Sequence, residues 1–325
     1  MVTRLGRGHC GAHLTLLFTV EDSSSELESQ GSTGAGICLE DGVDAIARGE
    51  EGGSSLAVTF QGNKHDSEMY QEVLDELCSE IPEAGELEWE LTIMMDLPTS
   101  QGFGMSASGA IAAAMSFQRA LGIPNEECLR RSFLIAHRVE RKRSSGLGDT
   151  TALAAGGVER RVVAGSPYSG PLLEIGPGRS HGWSQGTPVL VCWKEETGTP
   201  TSRYIDNTRW KERITSAGIE QMSVIGRGEW GPERWSELIE CAKSFVEESG
   251  LLDDASRSDL LASVNKEISN SDFDGDVTAL LCMLGESVVV VPTDANNDEG
   301  DLGALSVFLE DSGLATMLSR VGGLP

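Results

Sequence analysis

The 325-residue sequence is poor in positive charge and in aromatic side chains, which make up only 5% of it. The 25 Lys and Arg residues face 51 Asp and Glu residues, so the net charge is −26. Such a surface repels the phosphates of a nucleic acid, and no nucleic-acid partner is expected. No segment approaches the roughly 20 apolar residues that a membrane helix needs, so no membrane partner is expected either.

The seven cysteines are scattered, without a CxxC pair or any regular spacing. An odd, dispersed set is typical of reduced thiols in the core of a cytoplasmic protein, and it favours neither disulfides nor zinc. No GxxxxGK[ST] signature occurs, which excludes a Walker-type phosphate loop. The apolar content of 39% is sufficient for a folded core, and 39 glycines allow many close backbone contacts.

The length and pattern predict two compact domains that mix helices and strands, an α+β organisation. A stretch rich in Pro, Gly and Ser at 166–186 is interpreted as the junction, which gives domains at 1–170 and 186–325. Hydrophobic spacing predicts the individual elements. Strands are predicted at 13–20, 54–60, 88–97, 187–193 and 287–292, and helices at 66–81, 106–121, 125–143, 150–157, 207–218, 231–249, 256–269 and 301–318.

The segment 98–109 follows a predicted strand and opens a helix made almost wholly of small residues. Its glycines, Gly102 and Gly104 among them, let backbone N–H groups approach an anion closely. The start of a helix adds unpaired donors and positive dipole character. The hydroxyls of Ser106 and Ser108 suit phosphate oxygens or a magnesium ion. The segment therefore predicts a site for the phosphates of a nucleotide.

Two other interpretations of this segment stay open on the residues alone. Residues 102–107 satisfy the dinucleotide-binding pattern GxGxxA, although a Rossmann turn follows its strand directly and residues 98–101 intervene here. A helix start rich in Gly and Ser can also serve close packing only.

Two carboxylates later in the chain suit phosphoryl transfer, which needs a metal ligand and a group that orients or deprotonates the attacking hydroxyl. Glu140 lies in a predicted helix, and Asp149 follows in a loop flanked by glycine. Each also has a plainer interpretation. Glu140 can be one charge on a solvated helix face, and Asp149 can be the N-cap of the next helix.

The order of these motifs resembles that of the GHMP kinases. P-x3-GFG-M-S-A at 98–107 resembles their phosphate-binding motif. Its GFGMS form is similar to that of the archaeal pantoate kinase family, as are GLGD at 146–149 and the later Arg161. The resemblance implies a two-domain fold, with an N-terminal mixed α/β domain and a C-terminal ferredoxin-like α+β domain. It also implies an ATP-dependent kinase that converts pantoate to 4-phosphopantoate in coenzyme A biosynthesis.

The resemblance also implies roles for single residues. Asp149 is the implied catalytic base, and Ser106 and Glu140 are the implied ligands of Mg²⁺. The carboxylate of the substrate needs a cation, for which Arg161, Arg138 and His9 are the candidates. The implied ATP-binding residues are Pro98, Gly102, Gly104, Met105, Ser106, Ala107 and Ser108.

Motifs near the two ends of the chain match the family less well. The run Gly-His-Cys-Gly at 8–11 stands where these kinases have a Pro-Gly-Lys-like turn, and it contains no lysine. His9 is therefore either a substrate or phosphate ligand or a structural histidine. GSTGAG at 31–36 resembles a substrate or nucleotide loop, or is a plain turn. The usual glycine cluster of the C-terminal domain is missing around 274–285.

Two alternatives to the implied function stay open. Another GHMP kinase, acting on mevalonate, homoserine or shikimate, would share the same motifs. A non-catalytic nucleotide-binding regulator would keep the fold, although it would need neither Glu140 nor Asp149. GHMP kinases are often dimers, so the resemblance also implies a homodimer.

Overall fold

The computed structural model describes residues 3–62, 66–195, 208–296 and 302–323. Its first sheet has six strands, in the order β3-β4-β2-β5-β8, with β1 paired to β2. The strands are β1 (Arg4–Phe18), β2 (Gly34–Glu51), β3 (Ser55–Gln61), β4 (Leu87–Met95), β5 (Val158–Val163) and β8 (Arg179–Trp183). All pairs are antiparallel except β3 with β4.

Helix α2 packs against this sheet at close range. A Cβ atom on Gly8 of β1 would lie 1.9 Å from the carbonyl oxygen of Ala112, and one on Gly6 would lie 2.0 Å from that of Ser116. Small residues on both elements therefore let the strand and the helix touch through their backbones. The helices of this half are α1 (Glu68–Glu80), α2 (Met105–Ala120), α3 (Asn125–Lys142) and α4 (Asp149–Ala155).

The second sheet is antiparallel, with the strand order β10-β11-β9-β12. In chain order its elements are β9 (Pro188–Trp193), α5 (Thr208–Ile225), α6 (Trp235–Ser249), α7 (Ala255–Ser269), β10 (Val277–Cys282), β11 (Ser287–Pro292), α8 (Leu302–Asp311) and β12 (Ala315–Arg320). A strand, helices, two strands, a helix and a strand in this order form the ferredoxin-like arrangement. The predicted fold class is confirmed.

The helix predicted at 301–318 is wrong in its second half. In the structure α8 ends at Asp311, and the following residues form β12. Gly313 adopts a φ of +88°, a left-handed conformation that commonly ends helices. Residues 207 and 301, with which two predicted helices begin, lie outside the described residues.

The glycine-rich segment at 31–36 is a loop only in its first part, because β2 begins at Gly34. A Cβ atom on Gly36 would lie 2.4 Å from the carbonyl oxygen of Leu14 and 2.7 Å from Nε2 of His13. Glycine therefore lets β2 pass close to β1 beside that histidine. The first strand also begins earlier than predicted, at Arg4.

The stretch interpreted as a junction, 166–186, contains regular structure. The short strands β6 (Tyr168–Ser169) and β7 (Glu174–Ile175) pair with each other, and β8 pairs with β5 in the first sheet. The division into domains at 1–170 and 186–325 stays a prediction. Among the residues that the structure describes, no helix is both long and apolar enough to cross a membrane.

Candidate active site

A cavity of about 420 Å³ is lined by segments that are far apart in the sequence. They are β1, the loop before α2, the end of α3, the loop before α4, β5, and the turn between β10 and β11. Pro98, Ala107 and Ser108 do not line it. The predicted residues that do are Gly102, Gly104, Met105, Ser106, Glu140, Asp149 and Arg161.

The loop before α2 is shaped by two glycines in left-handed conformations. Gly102 has a φ of +81° and Gly104 a φ of +62°, both strained for other residues. Gly104 is the N-cap of α2 and has no side chain with which to bond the first N–H groups of the helix. Those donors stay available beside the cavity, which suits an anion such as a phosphate.

The two serines at this helix start have different surroundings. The hydroxyl of Ser108 is buried and donates to the carbonyl oxygens of Gly11 at 2.6 Å and Gly104 at 3.1 Å. It therefore ties the helix to β1 and does not face a ligand. Ser106 lines the cavity, where its Oγ lies 2.5 Å from Oε1 of Glu140.

Glu140 is a buried carboxyl group with one unused oxygen. Its Oε1 accepts hydrogen bonds from Ser106 and, at 3.0 Å, from Ser145. Its Oε2 is buried and has no hydrogen-bond partner. Burial raises the pKa of Glu140 to about 7, although the bond from Ser106 opposes this shift. A bound cation would favour the ionised form of Glu140. Oε2 of Glu140 and the hydroxyl of Ser106 are suitable oxygen ligands for such a cation.

Asp149 begins α4 and turns its side chain to His13, with 2.6 Å between Oδ1 and Nδ1. Gly148, and not Asp149, is the N-cap of this helix. A Cβ atom on Gly146 would lie 2.3 Å from both Oδ2 of Asp149 and Oε2 of Glu140, so only glycine lets these two carboxyl groups share the site. Burial alone would raise the pKa of Asp149, but the hydrogen bond and charge of His13 lower it below its usual value.

His13 is the residue that the sequence analysis missed. It is fully buried, and its Nε2 lies 3.0 Å from Oε1 of Glu159, which is also fully buried. Burial lowers the pKa of His13, but the hydrogen bonds and charges of Asp149 and Glu159 raise it above its usual value. His9 and His13 lie four residues apart on β1, so a regular strand would place them on the same face. The register against β2 shifts between Gly11 and His13, and the two histidines have different surroundings.

Arg161 on β5 is 1% exposed and brings a guanidinium group to the cavity. Its Nη1 donates to Oγ of Ser32 at 3.2 Å, and its Nε lies 3.3 Å from Oε2 of Glu159. Its Nη2 is buried without a hydrogen-bond partner. A Cβ atom on Gly148 would lie 2.1 Å from Nη1, so this glycine leaves room for the arginine.

The structure does not bring His9 or Arg138 to the cavity. His9 is exposed, with its Nε2 3.0 Å from the carbonyl oxygen of Glu40. Arg138 makes ion pairs with Glu28 at 2.7 Å and with Glu80 at 2.8 Å, which satisfy its charge elsewhere. Of the three predicted cations for a substrate carboxylate, only Arg161 lines the cavity.

Known proteins resemble this chain in sequence. The family model of the GHMP kinases N terminal domain matches residues 68–157. The chain is 32% identical over 251 residues to a pantoate kinase of Thermococcus kodakarensis, which covers 76% of each chain. It is 26% identical over 246 residues to a pantoate kinase of Methanospirillum hungatei, covering 71% of this chain and 72% of that protein.

Solved structures share the fold over nearly the whole chain. One described as a phosphotransferase related to the CoA biosynthesis pathway superposes with a TM-score of 0.75 at 23% identity, covering 98% of this chain and 96% of that one. Mevalonate-3-kinase from Thermoplasma acidophilum superposes with a TM-score of 0.64 at 11% identity, covering 99% and 97%. The chain therefore belongs to the GHMP kinases, in the family of the archaeal pantoate kinases, and is an ATP-dependent small-molecule kinase.

Proposed function

We propose that the protein transfers the γ-phosphoryl group of ATP to a hydroxyl of pantoate, which yields 4-phosphopantoate and ADP. The observation that carries this proposal is that Arg161, whose buried Nη2 has no hydrogen-bond partner, lines the same cavity as Asp149. A hydroxy acid offers a carboxylate to the first residue and a hydroxyl to the second. The two relatives described as pantoate kinases support the choice of hydroxy acid.

Binding of the nucleotide phosphates falls to the loop before α2. Bound ATP supplies the phosphoryl group, and the N–H groups that follow Gly104 compensate the negative charge of its phosphates. Preorganised donors of this kind need no rearrangement when charge shifts during the transfer. Gly102 and Gly104 leave room for the phosphates because they have no side chains, and both adopt left-handed conformations that favour glycine.

Ser106 and Glu140 suit Mg²⁺, which we include in the proposal. No group of three or more His, Cys, Asp or Glu side chains suited to a metal occurs in the described parts of the chain. Magnesium in kinases is commonly held by only one or two carboxylates together with the substrate phosphates. Oε2 of Glu140 is buried without a hydrogen-bond partner, so it is available to bind a divalent ion as one such carboxylate ligand.

Asp149 receives the proton of the attacking hydroxyl in this proposal. Its lowered pKa keeps it ionised at neutral pH, so it orients the hydroxyl through a strong hydrogen bond and accepts the proton as the new bond to phosphorus forms. Arg161 meanwhile binds the carboxylate of the substrate and fixes the distance between the two ends of the molecule.

The test is ADP release with a panel of alcohols: pantoate, mevalonate, homoserine and shikimate. We expect turnover with pantoate and at least 10²-fold lower kcat/KM with the others. Arg161→Gln should raise KM for pantoate far more than KM for ATP, because Arg161 is the proposed partner of the substrate carboxylate and does not belong to the phosphate-binding loop. Preferred turnover of another alcohol would reject pantoate, and turnover of none would favour a regulator.

Two features of the molecule's setting belong to the same proposal. We propose that the protein acts in the cytoplasm, where ATP is abundant and where its seven free cysteines would stay reduced.

We also propose a homodimer. Exposed apolar side chains on α8 (Val307 and Phe308) and on the edge strand β12 (Leu318) support a contact there. Light scattering of the purified protein measures its mass and so tests the dimer.

A further inference from the structure

A buried histidine between two carboxylates is the most unusual polar arrangement in this site. Nδ1 of His13 lies 2.6 Å from Asp149, and Nε2 lies 3.0 Å from Glu159. His13 and Glu159 are both 0% exposed, so water does not separate these groups. Each carboxylate is thus bonded to a different nitrogen of the same ring.

This geometry favours one protonation state of the ring. Ionised carboxylates only accept hydrogen bonds, so two of them at opposite ring nitrogens favour hydrogen on both nitrogens, which is the imidazolium. A neutral ring would leave one nitrogen lone pair facing a buried carboxylate, which is repulsive and leaves a buried acceptor unpaired. Burial alone would lower the pKa of His13, but the bonds and charges of the two carboxylates raise it above its usual value, which favours the positively charged ring.

The charged groups around His13 balance one another. Glu159 and Arg161 face it from β5, and Asp149 faces it from α4. On β2, the paired residue Cys38 has a raised pKa because of burial, so its thiol is neutral. On α3, Arg141 contributes to the lowered pKa of Asp149, and Asp149 in turn adds to the raised pKa that burial gives Glu140. Two cations thus match the two carboxylates in contact with His13 and Arg161.

The residues that line the cavity include no lysine. The cations that line it are Arg143 and Arg161, but the ring of His13 makes the direct contact with Asp149, at 2.6 Å, while Glu159 holds its other nitrogen. Without Glu159, burial would favour the neutral ring. We propose that His13 and Glu159 are positioning residues for phosphoryl transfer: Glu159 keeps His13 charged, and the imidazolium fixes the carboxylate of Asp149 toward the substrate hydroxyl. This inference rests on the proposed role of Asp149.

The first experiment needs no substrate. Nitrogen NMR of the protein with ¹⁵N-labelled histidine resolves the protonation of each ring, and the sequence contains only five histidines. We expect one ring to stay doubly protonated above the pH at which the other histidines lose their proton, and its signals to vanish in His13→Gln. In Glu159→Gln the same ring should lose its proton at a lower pH than in the wild type. A His13 ring that is neutral at pH 7 in the wild type would overturn the proposal.

The second experiment separates positioning from mere structural support. In His13→Gln we expect kcat to fall about 10²-fold, with KM for ATP and pantoate changed less than about threefold. The acid limb of the kcat profile should move to higher pH, because loss of the imidazolium raises the pKa of Asp149. A fall in kcat without movement of that limb would contradict the proposal.

Glu159→Gln keeps the shape of its side chain and an acceptor for Nε2, so it also serves if His13→Gln fails to fold. We expect a loss of activity that grows as the pH rises and sets in at a lower pH than in the wild type, because His13 would lose its proton earlier. An unchanged profile would reject the role of Glu159. His181→Gln, at an exposed site on β8, is the matched control and should alter neither profile.

These outcomes are independent of the substrate. If the wild type fails to turn over pantoate, the proposed function is wrong, but the NMR result on His13 still stands or falls by itself. If pantoate is turned over and His13 is neutral, the kinase assignment stands and the positioning role is wrong.

Discussion

A Cβ atom on Gly285 would lie 1.9 Å from the carbonyl oxygen of Gln101. The turn between β10 and β11 therefore touches the phosphate-binding loop through backbone atoms. The side chain of Gln101 accepts a hydrogen bond from the N–H group of Glu286 at 3.2 Å, and the hydroxyl of Ser287 donates to the carbonyl oxygen of Gln101. The C-terminal half thus supports the loop with one essential glycine, although it lacks the usual glycine cluster.

Gly285→Ala should weaken nucleotide binding. The added methyl group must displace Gln101, and with it Gly102, whose backbone nitrogen would lie 2.6 Å from the added Cβ atom. We expect at least a tenfold loss of affinity in a titration with a fluorescent ATP analogue. Gly323→Ala is the control, since nothing lies within 4 Å of its added Cβ. Equal affinity of Gly285→Ala and the wild type would show that the turn does not support the loop.

Glu140→Gln should raise the magnesium requirement. The amide removes the negative charge at the oxygen that has no partner, while it keeps an acceptor for Ser106 and Ser145. We expect the Mg²⁺ concentration for half-maximal activity to increase about tenfold or more, with activity partly recovered at high Mg²⁺. Glu90→Gln, an exposed change on β4, should leave the requirement unaltered. A normal requirement in Glu140→Gln would remove Glu140 from the metal site.

The stability of the protein should depend on His137 in mildly acidic solution. Burial lowers the pKa of His137 to about 4, although Nε2 donates a hydrogen bond to the carbonyl oxygen of Leu27. In the unfolded chain an ordinary histidine titrates near pH 6.5. The unfolded state therefore binds more protons between these values, and stability is lost as the pH falls.

Between pH 7 and pH 5 this difference corresponds to about 2 kcal/mol of unfolding free energy. The measurement is urea unfolding of the wild type and of His137→Gln at both pH values. Because every other group titrates alike in the two proteins, the wild type should lose about 2 kcal/mol more than the variant over this interval. Equal losses would mean that folding does not lower the pKa of His137.

Most of the predicted site residues that line the cavity belong to continuous motifs. Gly102, Gly104 and Ser106 lie in one loop, and Asp149 lies in a second loop whose glycines are visible in the sequence. Their local chemistry, a strand followed by glycines and a helix start, is independent of the rest of the fold. These residues, with Glu140 at the end of α3, do line one cavity.

The residues that the sequence could not predict depend on pairing between distant strands. His13 differs from His9 because the register of β1 against β2 shifts after Gly11, which no local pattern reveals. Glu159 lies in β5, where the neighbouring charged residues Arg160 and Arg161 are also buried. Such a run usually indicates a solvated strand. Only their partners, His13 for Glu159 among them, explain why these charges are inside.

Asp149→Asn tests the chemistry most directly. The amide keeps the size of the side chain and can still accept the hydrogen bond from His13, but it cannot take a proton from the substrate. We expect kcat to fall by about 10²- to 10⁴-fold, the usual contribution of a general base. The affinity for an ATP analogue should survive, since Asp149 does not belong to the loop that begins α2.

Asp149→Asn should also lower the free energy of unfolding, which a substitution at an exposed residue would hardly change. His13 would keep only Glu159 as a charged partner, so we expect a loss of about 1 to 3 kcal/mol in unfolding free energy. A urea titration at pH 7 therefore accompanies the kinetics and establishes that the variant is folded under the assay conditions. Near-normal turnover in a folded Asp149→Asn protein would mean that the hydroxyl loses its proton elsewhere, and Asp149 would then serve only to bind His13.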